Sequence, residues 1–325
     1  MFFTWICMQA TLIYNQQAGN NAQTTPDDIL EGLCQVGFDP VYHPTATEED
    51  LDHVLAEAKD LVVVAGGDGS LRAVAIRLMG KNVRITPLPM GTANNIARML
   101  ALTSSPLEII SGLADPVERD LDIGSVTMPQ GRFYFLEAMG IGVFADGMKK
   151  YNPENGKSVL RSIQSAMETV KDYQPKFFHI NLDGQDLSGS YLLVEVMNTP
   201  TMGLRYMLAP DAKPDDGLFD LVMIHASQRE NYLRFIAGVL TGSLIKLPSV
   251  SVQKGSHLEI AWRGFPLHLD AEIIAGLGWL DEEDLIEPDE SNLLDVAGPF
   301  LSVELLPGAI HFLVPRFSQA GESGT

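Results

Sequence analysis

The first third of the chain alternates apolar runs of strand length with amphipathic stretches of helical period. The run "LVVVA" (61–65) has no polar alternation, which is typical of a parallel strand buried on both faces. Before it, apolar residues recur at the helical spacing i, i+3, i+4 and i+7: Leu51, Val54, Leu55 and Ala58. Further strands are predicted over "ATLIYN", "FDPVYH" and "VRITPLP", and a predicted helix follows each of them. This alternation predicts an α/β domain with a doubly wound parallel sheet.

After about Leu121 the pattern changes to short strand-like runs that are divided by Gly, Pro and Asp turns. Examples are "RFYFLEAMGIGVF", "SGSYLLVEVMN" and "GLFDLVMIHA". We therefore predict an α/β domain over residues 1–121 and a mainly antiparallel β-sandwich domain over residues 122–307. The closing strand-like segment, residues 308–317, is predicted to pack back on the first domain.

Composition is typical of a globular protein and not of a disordered or membrane-spanning one. The chain has 325 residues, of which 46% are hydrophobic, and a mean hydropathy of +0.07. No apolar run approaches the roughly 20 residues that cross a bilayer. The opening "MFFTWICMQATLIY" has no Lys or Arg, so we predict that it is not a signal peptide, and Met8 is an alternative start to Met1. The two cysteines, Cys7 and Cys34, have no metal-binding spacing, which favours thiols in a reducing cytoplasm.

The net charge of −20 limits the classes of partner. Nucleic acid is disfavoured, because affinity for it comes from neutralising phosphates. Simple electrostatic docking on an anionic membrane is also opposed. The most acidic segment, residues 278–295, contains eight acids and no base, and we interpret it as a solvated loop.

Two consecutive strands of the predicted sheet end in glycine-containing loops, "GGDGS" (66–70) and "PMGTANNIAR" (89–98). Ligands of an open parallel sheet bind beyond the carboxyl ends of its strands. A helix follows each loop, and the free N–H groups and positive dipole at a helix start suit phosphate. Ser70 is predicted to cap the first of these helices. The two loops together indicate phosphate binding.

Neither loop contains a lysine, so the charge of a triphosphate must be offset in another way. The candidates are the helix dipoles, Mg²⁺, Arg72 and Arg98. Asp68 is the carboxylate that we expect to face such a metal ion, directly or through water.

Two acidic clusters lie in the second predicted domain. Asp211, Asp215, Asp216 and Asp220 surround Gly217 and form either a tight turn or a site for a hard cation. In "LHLDAEII", Asp270 and Glu272 are two residues apart, which places both on one face of a strand. Repulsion between two such carboxylates raises one pKa and can produce a general base.

In chain order these motifs resemble the diacylglycerol kinase catalytic domain family, in particular the bacterial lipid kinases related to sphingosine and ceramide kinases. The resemblance begins at "IYNQQAG" (13–19) and includes both glycine loops. It continues through "VMNTPTMGLRYMLAPDAKPDDGLFDLVMI" (196–224) to "LDAEII" (269–274), in the place of the family's Asp-Gly-Glu motif. The ordered motifs cover nearly the whole chain and are far more specific together than singly.

The resemblance implies an NAD-kinase-like first domain and ATP-dependent phosphorylation of a lipid hydroxyl, with the nucleotide between the two domains. The ATP-binding residues that it implies are Asn15, Thr45, Gly66, Gly67, Asp68, Gly69, Ser70, Leu71, Arg72, Gly91, Thr92 and Asn94. The match at Thr45 is loose, because that segment has no strong motif.

The resemblance also implies a metal site and a general base. A structural Mg²⁺ would bind Asp216 and the backbone oxygens of Lys213 and Leu218. Glu272 would accept the proton of the substrate hydroxyl, with Asp270 beside it and Asp68 as a third catalytic carboxylate.

The chain departs from the family pattern at several positions. Ala271 replaces a common Gly, Asn95 replaces a frequent Asp, and Arg72 replaces a common Asn. The acidic segment 278–295 resembles an insertion. Because Asp68, Asp270 and Glu272 are all present, we expect activity.

Three functions are weighed. The first is a lipid kinase in peripheral contact with a membrane, for which "RENYLRFIAGVLTGSLIKL" is a candidate surface, although a core helix explains that pattern equally well. The second is a kinase of a soluble alcohol, like NAD kinase, and the third is a nucleotide-binding protein without catalysis. The order of the motifs favours the first. The identity of the lipid and the oligomeric state, including a homodimer, are left open.

Overall fold

The computed structural model describes residues 8–16, 24–45, 47–150, 173–225, 232–262, 264–270, 272–274 and 300–316. Contacts within the chain divide it into two compact units: unit 1 is Met1–Leu121 with Gly308–Thr325, and unit 2 is Asp122–Pro307. Cys7, Ala271 and the acidic segment 278–295 lie outside the described residues. Within the described residues, no helix is long and apolar enough to cross a membrane.

The core of unit 1 is a parallel sheet. Its strands are β1 (Met8–Tyr14), β2 (Phe38–Tyr42), β3 (Leu61–Gly66) and β4 (Arg84–Pro89), in the order β4-β3-β1-β2. All six residues of β3 are buried, as its unbroken apolar run predicts. The end of the last strand, β19 (Phe300–Pro315), pairs with β4 in parallel through His311 and Phe312.

Among the described residues of unit 1, five helices accompany this sheet: α1 (Pro26–Gln35), α2 (Glu48–Glu57), α3 (Asp68–Leu78), α4 (Asn95–Met99) and α5 (Pro106–Gly112). Capping boxes fix the starts of α1, α2 and α5, through Thr25 with Asp28, Thr47 with Asp50, and Ser105 with Glu108. The prediction that Ser70 caps α3 is wrong. Gly67 is the N-cap, and Ser70 lies inside the helix, because the backbone turns two residues after the strand without a side-chain cap.

Unit 2 is built mainly from antiparallel strands. The strands of one sheet are β7 (Ala138–Gly142), β8 (Lys176–Phe178), β11 (Gly189–Met197), β14 (Phe219–His225), β15 (Val250–Gly255), β17 (Leu267–Leu269) and β18 (Glu272–Ile274). Their order is β15-β14-β11-β7-β17-β18, with β8 beside β11. Two helices of this unit are α6 (Val143–Lys150) and α7 (Tyr232–Thr241).

The other strands of unit 2 are β6 (Gly131–Phe135), β9 (Ile180–Leu182), β10 (Gln185–Asp186), β16 (His257–Ala261) and the part of β5 (Pro116–Met128) that follows Leu121. They are arranged in the order β10-β9-β16, followed by the first part of β19, and β5 pairs with both β19 and β6. A separate hairpin pairs β12 (Thr201–Met202) with β13 (Tyr206–Met207). Buried side chains from both sheets form one core, among them Phe135, Phe178, Phe219 and Leu301. The parallel sheet of unit 1 and the mostly antiparallel unit 2 confirm the predicted fold class.

Candidate functional site

The residues predicted to bind ATP lie along one edge of the parallel sheet of unit 1. Parallel strands end at the same edge, and β1 to β4 are parallel throughout. Asn15 follows β1, Thr45 lies three residues after β2, Gly67 follows β3, and Gly91 is two residues beyond β4. We call this set of strand ends the loop edge. The structure therefore brings together residues that are up to 76 positions apart in the sequence (91 − 15 = 76).

The loops after β3 and β4 are in backbone contact. A Cβ atom added at Gly91 would lie 2.6 Å from the Cα of Gly67, and one added at Gly67 would lie 3.2 Å from the Cα of Gly91. The Met90 N–H donates to the Gly66 carbonyl at 2.9 Å. Only glycine permits this approach, so the two loops form one continuous backbone surface.

Asn94 shapes the second loop with its own side chain. Its φ of 54° lies in the left-handed region, which Asn tolerates better than most residues. Its Oδ1 accepts from the Gly91 N–H at 2.9 Å, and its Nδ2 donates to the Gly91 carbonyl at 2.8 Å. The amide that we predicted as a ligand donor therefore closes the loop.

Asp68 is the first residue of α3 and is half-buried. Its Oδ1 accepts from the backbone N–H of Ile96, in the first turn of α4, at 3.4 Å. The carboxylate therefore lies between the starts of two helices. This carboxylate connects the two loops, and its role toward a metal ion stays a prediction.

The first turn of α3 has one buried side and one open side. Leu71 is 3% exposed, so its side chain belongs to the core and only its backbone can face a ligand. Ser70 Oγ accepts from Asn15 Nδ2 at 2.8 Å, which joins the ends of β1 and β3. A Cβ atom added at Gly69 has no described protein atom within 4 Å. Thr92 is exposed, and Arg72 and Thr45 are half-buried.

Residues 211–220 of unit 2, which we call the acidic turn, place two of their carboxylates next to a lysine. Lys254 Nζ lies 3.1 Å from Asp216 Oδ2 and 3.4 Å from Asp220 Oδ2. Burial raises the pKa of Asp220, against the opposing effect of Lys254. Asp122 Oδ2 accepts from the Gly217 N–H at 2.8 Å and so fixes the backbone of the turn.

The donor set that was predicted for Mg²⁺ has the right chemistry. It consists of the Asp216 carboxylate and two backbone carbonyls, and Mg²⁺ and Ca²⁺ prefer such oxygen ligands. Within the described residues, no group of three or more His, Cys, Asp or Glu side chains is arranged to hold a metal ion. A site with one carboxylate and two carbonyls needs no such group. Lys254 supplies positive charge to the same carboxylate.

The prediction that Asp270 and Glu272 share one face of a strand is wrong. The strand ends at Leu269, Asp270 turns the chain with a φ of 54°, and a second strand begins at Glu272. Leu269 and Glu272 face each other across the resulting hairpin. The two-residue rule for a shared face holds only within a continuous strand. Asp270 is 6% exposed, whereas Glu272 is exposed.

The Asp270 carboxylate accepts from three consecutive backbone N–H groups where the link from β6 enters β7. Leu136 donates at 3.1 Å, Glu137 at 2.7 Å and Ala138 at 3.1 Å. The Asp270 N–H also donates to the Ala138 carbonyl at 2.7 Å. Asp270 therefore anchors the hairpin and leaves Glu272 as the accessible carboxylate of the pair.

Sequence reasoning missed Lys254 and Asp122. Neither lies in a motif, and Lys254 reaches Asp220 only because the two residues are paired across β14 and β15. Asp122 lies in "RDLDIGSV", where polar and apolar residues alternate, and this pattern predicts an ordinary strand and no functional role. Only the sheet register identifies them.

Two family models match most of the chain. The diacylglycerol kinase catalytic domain model matches residues 9–126, and the model of the YegS C-terminal NAD kinase beta sandwich-like domain matches residues 142–294. The first therefore includes the whole loop edge, and the second includes the acidic turn and Glu272.

Similar proteins carry the name diacylglycerol kinase. One from Bacillus subtilis (strain 168) is 29% identical over 279 residues, which cover 81% of this chain and 89% of the relative. Another from Mycobacterium tuberculosis (strain ATCC 25618 / H37Rv) is 25% identical over 280 residues, with 83% and 90% covered. A crystal structure of a diacylglycerol kinase from Bacillus anthracis str. Sterne aligns over 95% of this chain and 98% of that one, with a TM-score of 0.64 and 16% identity. That likeness shows a shared fold.

Proposed function

The chain belongs to the diacylglycerol kinase catalytic domain family, and from that premise we propose that it is an ATP-dependent lipid kinase that transfers the γ-phosphate to the hydroxyl of a diacylglycerol-like lipid. The observation that carries the proposal is the backbone contact of Gly67 with Gly91 at the loop edge. It places the start of α3 next to the loop after β4, without a side chain between them.

The loop edge suits the phosphates of ATP. The first N–H groups of α3 have no partner inside the helix, and the helix dipole favours an anion there. The open side of Gly69 leaves room for a ligand atom close to the backbone. We assign ATP binding to the predicted set: Asn15, Thr45, Gly66, Gly67, Asp68, Gly69, Ser70, Leu71, Arg72, Gly91, Thr92 and Asn94.

The chemistry is an in-line displacement at the γ-phosphorus. The lipid oxygen forms a bond to phosphorus, the bond from phosphorus to the β–γ bridging oxygen breaks, and ADP leaves. We assign to Glu272 the acceptance of the hydroxyl proton, because its carboxylate is exposed while that of Asp270 is engaged by three backbone donors. Asp270 then holds the turn from which Glu272 projects.

Mg²⁺ bound with ATP neutralises negative charge on the phosphates. In unit 1 we assign Asp68 to face this ion, since its carboxylate lies at the loop edge. In unit 2 we assign a structural ion to Asp216 with the backbone oxygens of Lys213 and Leu218.

The test is phosphate transfer from ATP by the purified protein with Mg²⁺ across a panel of acceptors. The panel contains diacylglycerol, a sphingoid base and a polyprenol in mixed micelles, together with soluble alcohols and NAD. We expect transfer to a lipid hydroxyl. Transfer only to a soluble alcohol or NAD identifies the second function weighed above. ATP binding with no transfer to any acceptor contradicts the proposal and favours a non-catalytic protein.

A further inference from the structure

Two ionisable side chains meet in the interior of the antiparallel sheet of unit 2 that contains β7, β11 and β17. Glu195 in β11 and His268 in β17 are both 0% exposed. Both are paired with Gly140 of β7, which lies between them. A Cβ atom at Gly140 would lie 2.1 Å from Glu195 Oε2. The missing side chain therefore makes the space in which the carboxylate and the imidazole ring meet.

The contacts of His268 fix where its protons lie. Its Nδ1 is 3.2 Å from the Asp270 backbone carbonyl, which can only accept a hydrogen bond, so Nδ1 carries a hydrogen. Its Nε2 is 2.9 Å from Glu195 Oε1. A hydrogen must lie between these two atoms, because otherwise a ring lone pair would face a carboxylate lone pair at this distance. Burial lowers the pKa of His268, but the charges and hydrogen bonds of Glu195 and Asp270 together raise it, and the net pKa lies above its ordinary value.

This pair completes the fixation of Asp270. The Asp270 side chain is held by the N–H groups of Leu136, Glu137 and Ala138, and its own N–H by the Ala138 carbonyl. The remaining backbone group is the carbonyl that faces His268 Nδ1. That carbonyl belongs to the peptide unit that leads toward Glu272, two residues on.

We propose that His268, supported by Glu195, is a positioning residue that orients the turn between β17 and β18 and thereby sets the direction in which Glu272 projects. This inference rests on the proposed function only in giving Glu272 the role of base. The hydrogen bond from Nδ1 carries the orientation, and Glu195 holds the ring in place.

The test separates the two ring nitrogens. All variants are made in a Glu195→Gln background, so that no uncompensated charge is left in the core. In His268→Asn the side-chain amide nitrogen can take the place of Nδ1 and donate to the Asp270 carbonyl. In His268→Gln it can take the place of Nε2, next to residue 195, and the bond to the Asp270 carbonyl is lost. We expect His268→Asn to hold kcat for lipid phosphorylation within about threefold of the background. We expect His268→Gln to lower kcat about 100-fold with the KM for ATP unchanged, because a misplacement of the order of 1 Å costs that much.

The matched control is His225→Gln, a histidine on β14 of the same sheet whose Nε2 lies 2.8 Å from Ser251 Oγ. It should leave kcat unchanged. Equal losses in His268→Asn and His268→Gln would reduce the pair to a packing role and overturn the inference. Full activity of His268→Gln would overturn it as well.

Hydrogen exchange of the full-length protein gives a readout that does not depend on activity. The amides of residues 136–138 should exchange about tenfold faster in His268→Gln than in His268→Asn. Unchanged exchange overturns the inference even if the kinase is active. A wild-type protein that transfers no phosphate refutes the proposed function instead, and hydrogen exchange then decides this inference alone.

Discussion

Asp270 combines the backbone of a turn residue with the environment of a core residue. Its φ is 54°, its side chain is buried, and three backbone N–H groups donate to its carboxylate. Asp183 provides a natural comparison, with a φ of 49° and a carboxylate that accepts from the N–H groups of Ser256 and His257. Those contacts are exposed. The two residues share a conformation and differ in access to water.

We predict that Asp270→Asn lowers the free energy of unfolding by about 1–3 kcal/mol. Asn keeps the left-handed backbone, but its NH₂ group faces a backbone N–H where a carboxylate oxygen was, and both donors are left unsatisfied in the interior. Asp183→Asn should cost less than about 1 kcal/mol, because water replaces the lost bond. Urea unfolding of both variants measures this difference. Equal costs would show that burial of the Asp270 carboxylate is not what matters.

At the scale of single residues, sequence reasoning identified the chemistry and not the contacts. The pairing of Asp270 with Glu272 in the sequence indicates a general base, because two neighbouring carboxylates repel each other. Their spacing said nothing about where the strand ends, and that point is set by the three amides of residues 136–138, which are more than 130 positions away (270 − 138 = 132). His268 and Glu195 were missed for the same reason: 73 positions separate them, and only the sheet brings them together.

The loops after β3 and β4 act together as one element. The φ and side-chain bonds of Asn94 shape the second loop, and Gly91 contacts Gly67 in the first. Gly69 lies in the first turn of α3, and a Cβ atom added there would contact no described residue outside that helix. Gly91 is therefore needed for folding, whereas Gly69 can be replaced without a clash and tests whether a ligand binds beside it.

We predict that Gly91→Ala lowers the free energy of unfolding by about 1–3 kcal/mol, because the new Cβ lies 2.6 Å from a backbone atom that cannot move alone. Gly69→Ala should leave this free energy unchanged or raise it, since Ala is the better helix former. It should still weaken ATP binding about tenfold, or 1.4 kcal/mol, by filling space beside the phosphates. Thermal unfolding and calorimetric titration with ATP measure the two quantities. Undiminished ATP affinity in Gly69→Ala would argue against phosphate binding at this turn.

The acidic turn is a second element whose charge balance is set by a neighbouring strand. Asp220 and Lys254 are a cross-strand pair, and Asp216 shares the same ammonium group. The pKa of Asp220 in the folded protein is raised above its value in the unfolded chain. Asp220 therefore contributes to the stability of the folded state at low pH, and this contribution is lost as the pH rises through the raised pKa.

We predict that the free energy of unfolding of Lys254→Met falls more than that of the wild type as the pH rises from about 4 to about 7, because Lys254 no longer opposes the rise in the Asp220 pKa.

Millimolar Mg²⁺ should raise the thermal unfolding midpoint of Lys254→Met more than that of the wild type if the acidic turn holds a divalent cation. NaCl at matched ionic strength is the control. Equal shifts with both salts would argue against a metal at Asp216.

At the scale of elements, the sequence was most informative where one local rule sufficed. The unbroken apolar run of β3 and the capping residues Thr25 and Thr47 each specify their element without distant partners. The start of α3 differs because Gly67 has no side chain that identifies it as a cap, and the nearest hydroxyl in the sequence is that of Ser70. Ser70 bonds to Asn15, a contact that exists only once β1 and β3 are adjacent.

For the whole molecule, the net charge of −20 is the main electrostatic feature. Like charges repel in the compact state, and salt screens them over a distance of about 10 Å at 0.1 M ionic strength. We predict that the thermal unfolding midpoint rises as NaCl increases from about 0.01 M to about 0.15 M. Sucrose at equal osmolality, which does not screen charge, is the control. A midpoint that falls with salt would show that attractive ion pairs dominate over this repulsion.

The order of motifs along the whole chain was the strongest functional signal in the sequence. Glycine loops, an acidic turn and a pair of carboxylates are each common in proteins, but the order in which they follow one another from residue 13 to residue 274 is specific to a family. The structure adds the reason for part of that order: successive strands of a parallel sheet deliver the first motifs to one edge. Pairing within the antiparallel unit cannot be read from motif order, so Lys254 and Glu195 required the structure.

The most direct test of this account is the transfer of radiolabelled γ-phosphate from ATP to diacylglycerol in neutral mixed micelles with Mg²⁺. The wild type, Glu272→Gln and Glu259→Gln are compared, since Glu259 is an exposed glutamate on another strand of unit 2. We predict labelled phospholipid from the wild type and Glu259→Gln, and a loss of about 100-fold or more in Glu272→Gln with ATP affinity unchanged. Equal labelling by Glu272→Gln, or no labelled lipid from a wild type that binds ATP, would contradict the account.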